Sequence, residues 1–79
     1  MIAAEEIKNK ALSFIAVPVK DITVMPDDSF FQITIVFKKK VKKIDFYRIK
    51  ARMVHAFEND FLSINYNDGK KMFVYVKNN

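Results

Sequence analysis

The run Phe30-Phe31-Gln32-Ile33-Thr34-Ile35-Val36-Phe37-Lys38 decides the fold. Phe31, Ile33, Ile35 and Phe37 alternate with Phe30, Gln32, Thr34 and Val36, the period-two pattern of a strand with one face in a core. Just upstream, Val19 to Val24 reads as a second strand, with Ile22 and Val24 on one side. The intervening Met25-Pro26-Asp27-Asp28-Ser29 reads as a turn, because Pro presets φ and Asp bonds its own backbone.

Working outward, the period changes to helical. Ala4, Ile7, Ala11 and Phe14/Ile15 recur at helical spacing and predict a helix from Ala3 to about Ile15. Glu5 and Glu6 suit its positive end, Lys8 and Lys10 follow, and Pro18 forbids continuation. On the other side, Asp45 is placed to cap a helix running to about Asn59, with Phe46, Ile49, Met53 and Ala56/Phe57 as its buried stripe.

A second hairpin follows, Phe61–Tyr66 and Lys70–Lys77 around Asn67-Asp68-Gly69. A two-residue Asp-Gly turn sets Ile64 opposite Phe73. A three-residue loop with Gly69 left-handed sets Ile64 opposite Met72 and Leu62 opposite Val74. The second register is preferred, because it gathers Leu62, Ile64, Met72, Val74 and Val76 on one face, and a slip by one residue inverts every side chain. The other face then carries Phe61, Ser63, Asn65, Lys71, Phe73, Tyr75 and Lys77, with Thr23, Gln32 and Thr34.

The expected fold is α+β: a two-layer sandwich of order α-β-β-α-β-β, two helices on one face of a four-stranded antiparallel sheet. Strand order in space is not readable. The same order of elements occurs in several unrelated folds, among them the half-domain of some homing endonucleases, but the acidic motif that carries their chemistry is absent from this chain.

Residues 1–79 are expected to form one compact domain. A chain of this size buries only about 60–65% of its unfolded surface, so it needs a rich core. It has 51% hydrophobic residues, including eight Phe. With no Cys there is no disulfide, which fits a reducing compartment. Early acids replace the basic start of a signal peptide. The longest uncharged runs, Ala11–Val19 and Ser29–Phe37, are nine residues each, against about 20 for a membrane span. The expectation is a soluble, cytoplasmic protein.

Charge is the strongest functional signal. Between Lys38 and His55 stand eight of the fourteen Lys and Arg residues and one acid, Asp45, a local +7 in a chain of net +5. Lys38, Lys39, Lys40, Lys42 and Lys43 fall at the seam between strand and helix, and Arg48, Arg52 and His55 extend them along one helix side. Such density suits the phosphates of DNA or RNA, with strongly salt-sensitive binding. A plainer reading is a solvated helix face plus lysines that protect a strand edge. Phe61, Phe73 and Tyr75 form a second candidate surface, either stacking bases or making a protein interface, including a homodimer. An acidic protein is a further possible class of partner for the ridge. Lys39-Lys40-Val41-Lys42-Lys43 also has the composition of a nuclear-targeting stretch, although it lies between two elements.

Chemistry is not indicated. One His and no Cys leave no metal-ligand cluster. Asp27 and Asp28 are explained by the turn, since no third carboxylate follows at a calcium-loop spacing. Gly69 stands alone, so no phosphate-cradling glycine loop exists. The expectation is a non-catalytic protein with no cofactor, no metal and no small-molecule substrate. Anionic membrane surfaces rank third as partners, without insertion. The leading expectation is nucleic-acid association; the alternative is a protein-interaction module or homo-oligomer using the aromatic sheet face.

Overall fold

The alternation over Phe30–Phe37 is kept residue for residue in the computed structural model, which describes residues 3–78. Its elements are α1 (Ala4–Ser13), β1 (Val19–Pro26), β2 (Phe30–Phe37), α2 (Lys43–Phe57), a 3₁₀ turn at Glu58–Asp60, β3 (Phe61–Asn65) and β4 (Lys71–Lys77). The strands form one antiparallel sheet in the order β1-β2-β4-β3. Each hairpin thus places its first strand at an edge and its second strand inside. The helices pack on the sheet, as the order of elements leads one to expect.

The core is one cluster. Phe31, Ile33, Ile35 and Phe37 from β2 meet Met72, Val74 and Val76 from β4, under Ile7 and Ala11 of α1 and Phe46, Ile49 and Met53 of α2. Ile33, Ile35, Met53, Met72 and Val74 are fully buried. A fully buried aliphatic side chain contributes about 1.5–3 kcal/mol relative to exposure, which is how a chain without disulfides holds together. Both edges are irregular: the ladder shifts between Val19 and Asp21 in β1 and between Phe61 and Ser63 in β3. Bulges of this kind discourage further strands from adding. Among the described residues, no helix is long and apolar enough to cross a membrane.

The second hairpin departs from both expected registers. Ile64 pairs with Val74 and Asn65 with Phe73, so the connection spans residues 66–70. Asn67 takes φ +56° and its N–H is capped by the Asn65 side chain at 2.8 Å, so the local turn chemistry outweighs the Asp-Gly signal. The bulge then corrects the face assignment. Phe61 pairs with Val76 and packs against the core, whereas Leu62 is 47% exposed. Phe61 is therefore withdrawn from the outer aromatic face, and Leu62 from the core.

Two helix ends also differ. α2 begins at Lys43 with Lys42 as its cap residue and no side-chain cap bond. Asp45 lies inside the first turn, where a carboxylate favours the positive end of the helix, and pairs with Arg48 at 3.6 Å. At the far end, Glu58 stops the α-helix with φ +49° and ψ −120°.

Candidate nucleic-acid interface

The lysine run leaves β2 and is held by backbone contacts on both sides. The Lys38 N–H donates to the Pro18 carbonyl at 3.3 Å, and the Phe37 N–H to that of Lys70 at 2.8 Å. Val41 is the pivot. Its side chain is buried, its N–H donates to the Gly69 carbonyl at 2.8 Å, and its own carbonyl accepts the Tyr66 hydroxyl. The hairpin loop thus clamps the middle of the run while Lys38, Lys39, Lys40 and Lys42 stay exposed. An apolar Val between lysine pairs is what allows the clamp.

Gly69 makes this approach possible. It is buried at φ +82°, and an added Cβ would lie 2.5 Å from the Tyr66 hydroxyl oxygen and 2.7 Å from the Val41 carbonyl oxygen. Beside it, the Asp68 carboxylate accepts the N–H groups of Lys70 at 2.9 Å and Lys71 at 3.2 Å. These bonds, aided by nearby Lys40, hold Asp68 below the usual carboxylate range.

The sheet order enlarges the charge cluster beyond what the run alone gives. Val19 pairs with Phe37 and Val36 with Lys71, so Lys20, Lys70 and Lys71 stand at the same end of the sheet as Lys38–Lys42. Sequence reading missed these three: Lys70 and Lys71 reach the run because β4 lies beside β2, and Lys20 because Val19 pairs with Phe37. Glu6, Lys10, Asp60 and Lys77 line a cavity at the other end, where Phe30 pairs with Lys77 and Asp27 and Asp28 form the turn. The lysines therefore form a basic pole at one end of the sheet, while the other end carries both signs of charge.

At the basic pole lies an open cleft of ≈ 450 Å³, with apolar Val17, Pro18 and Val41 beside Lys38, Lys39, Lys40, Lys42 and Asp45. Asp45 links it to Arg48. Farther along α2, Arg52 and His55 border a second depression with Ser13, Phe14 and Ala51, where the His55 and Phe14 rings meet edge to face at 6.3 Å. Arg48, Arg52 and His55 do share one exposed side of the helix. Lys43 does not join them: its ammonium sits 5.1 Å from the Tyr66 ring centre, on the side of the helix opposite Arg52.

Phe73 and Tyr75 lie on the outer sheet face, both half-buried, between exposed Lys71 and Lys77 on the same strand. Tyr75 packs edge to face with Phe30 at 5.6 Å and lies opposite Gln32 and Ser63. Lys71, paired with Val36, stands at the end of this face where the lysine run leaves β2. No family model, curated protein or solved structure matches the chain.

Proposed function

We propose that this protein is a small, non-catalytic nucleic-acid-binding domain that engages phosphates through its basic pole. One observation carries the reading: the fold adds Lys20, Lys70 and Lys71 to the end that already holds Lys38, Lys39, Lys40 and Lys42. Phosphate contact rewards charge held at a fixed spacing, because each neutralised phosphate releases condensed counterions. The Tyr66–Gly69 clamp supplies that fixed spacing for the lysine backbone. Arg48, Arg52 and His55 extend the track along α2.

Fluorescence anisotropy with labelled mixed-sequence duplex DNA and single-stranded RNA, across a salt series, tests this. The log of the affinity should fall linearly with log salt, with a slope of about 0.9 per phosphate contacted on duplex. Replacing Lys39, Lys40 and Lys42 with Gln should flatten the slope while leaving the melting temperature nearly unchanged. Absence of binding to both probes at low salt refutes the proposal.

A second reading is a protein-interaction module working through the outer sheet face. What favours it is that Phe30, Phe73 and Tyr75 lie outside the core cluster on the outer sheet face, each only half-buried among the described residues. Self-association on this face predicts a dimer in sedimentation that Tyr75→Ser dissolves. Loss of RNA affinity in the same variant instead assigns the face to base stacking.

A further inference from the structure

The α2 helix has two apolar stripes, and only one is used. Phe46, Ile49, Met53, Ala56 and Phe57 enter the core. On the opposite side Ile44, Tyr47, Ala51 and Val54 are all exposed, Ile44 by 62%, Tyr47 by 60% and Val54 by 43%. Single exposed apolar residues need no explanation. These four are spaced three, four and three, so they form a continuous line over three helical turns, the a and d positions of two heptads. Tyr47 lies against the buried Phe46 ring at 5.5 Å between centres.

The flanking positions hold basic residues and no acid, with Arg48 also paired to Asp45 on the same helix. With Ile44 and Ala51 as a positions, Lys43 and Lys50 occupy the g positions and Arg48 and His55 the e positions. In coiled coils these positions choose the partner. A second copy of this chain would bring Lys and Arg against Lys and Arg or His. In a parallel pair each g faces an e of the partner; in an antiparallel pair like faces like. Both arrangements repel, so the seam is built against self-pairing. A lipid surface fits less well, because a strict a/d seam is narrower than the apolar face of a membrane-lying helix. The small Ala51 lies between Tyr47 and Val54 in the line and borders the open depression with Phe14 and His55.

We propose that the outward seam of α2, Ile44, Tyr47, Ala51 and Val54, docks an acidic amphipathic helix of another protein, with Lys43, Arg48, Lys50 and His55 pairing its carboxylates. The apolar seam supplies the contact, and the cationic flanks select an acidic partner over a basic one. Two heptads make a short contact, so the helix alone binds modestly and is weakened by salt.

The test uses the full chain and a synthetic peptide of about three heptads with Leu at a and d and Glu at e and g. Two controls accompany it: the same seam flanked by Lys, and the Glu peptide with its seam order scrambled. Titration followed by peptide helicity should show saturable binding of the Glu peptide, with both controls at least roughly tenfold weaker. Tyr47→Ser with Val54→Ser should abolish binding while the melting temperature stays near that of the wild type, since both positions are exposed. Those substitutions leave every basic-pole lysine in place, so nucleic-acid affinity should persist; the two proposals therefore fail separately. Equal binding of all three peptides overturns the inference, as does undiminished binding by the double variant. Seam-dependent dimerisation of the chain overturns it in favour of a second copy. Seam-dependent binding to vesicles containing phosphatidylserine, with no peptide binding, overturns it in favour of a membrane.

Discussion

The two hairpins contribute similarly to one sheet and are built differently. The β1–β2 hairpin has strands of eight residues, a ladder regular from Asp21 to the tip with one shift between Val19 and Asp21, and a tight turn, where the Asp27 N–H donates to the Phe30 carbonyl at 2.8 Å. The β3–β4 hairpin has a five-residue edge strand with a bulge and a wide connection with two residues, Asn67 and Gly69, at positive φ. The regular hairpin supplies most of the buried sheet face through β2. The irregular one supplies the clamp on the lysine run. Regular alternation serves packing, whereas a site needs backbone groups freed from the ladder, and the wide loop frees them.

Disabling the regular hairpin should give the largest effect on stability and the least specific one. Ile35→Ala removes a fully buried side chain and should cost about 2–5 kcal/mol, a large share of the about 5–15 kcal/mol typical of a domain. Chemical denaturation reads the loss. The molecules still folded should keep the wild-type salt slope for DNA, so a changed slope would blur the division between the hairpins.

Gly69→Ala should follow, at about 2–4 kcal/mol, from left-handed strain and collision with the Tyr66 hydroxyl and the Val41 carbonyl. Its signature is local. Amide exchange should speed up at Val41 and Gly69, more than in β1 and β2, and the salt slope should fall as the lysine backbone loosens. Uniform acceleration across the sheet would contradict the assignment of the clamp to this loop.

Asp68→Ala should give the smallest change, and one that depends on pH. The folded state holds the Asp68 carboxyl below its ordinary range through the Lys70 and Lys71 N–H groups. The ionised form therefore stabilises the fold. This contribution is complete above the unfolded value and is lost as pH falls through the lower folded value. The difference in stability between wild type and variant should be full at neutral pH and narrow below about pH 4. A difference that widens on acidification would mean that the carboxylate opposes the loop.

The class of fold was legible because two periods survive without interference. The alternation of Phe30–Phe37 and the three–four spacing of Phe46, Ile49, Met53 and Phe57 each name an element and its buried face. The strand order was not, since it depends on which hairpin edges meet, and no local pattern records that. Leu62 and Phe61 were exchanged for a similar reason: both are apolar, and a bulge between them leaves no mark in composition. At the candidate site, the lysine run and the Arg48–Arg52–His55 side were visible at once. Lys70 and Lys71 required the pairing of β2 with β4, and Lys20 the register of β1 on β2. The exposed line on α2 was present in the sequence at Ile44, Tyr47, Ala51 and Val54, but the stronger buried stripe two residues out of step masked it. Only burial separates the two.

Joining the hairpins through β2 and β4 has a kinetic side. The ladder from Phe30–Lys77 to Val36–Lys71 connects residues from opposite halves of the chain, so the centre of the sheet is among the last pairings the chain can afford to close. Until then β2 presents an open edge beside Phe31, Ile33, Ile35 and Phe37, a species able to pair with its own copies. Yield on refolding should therefore fall with protein concentration, a competition governed by how quickly the two halves find each other.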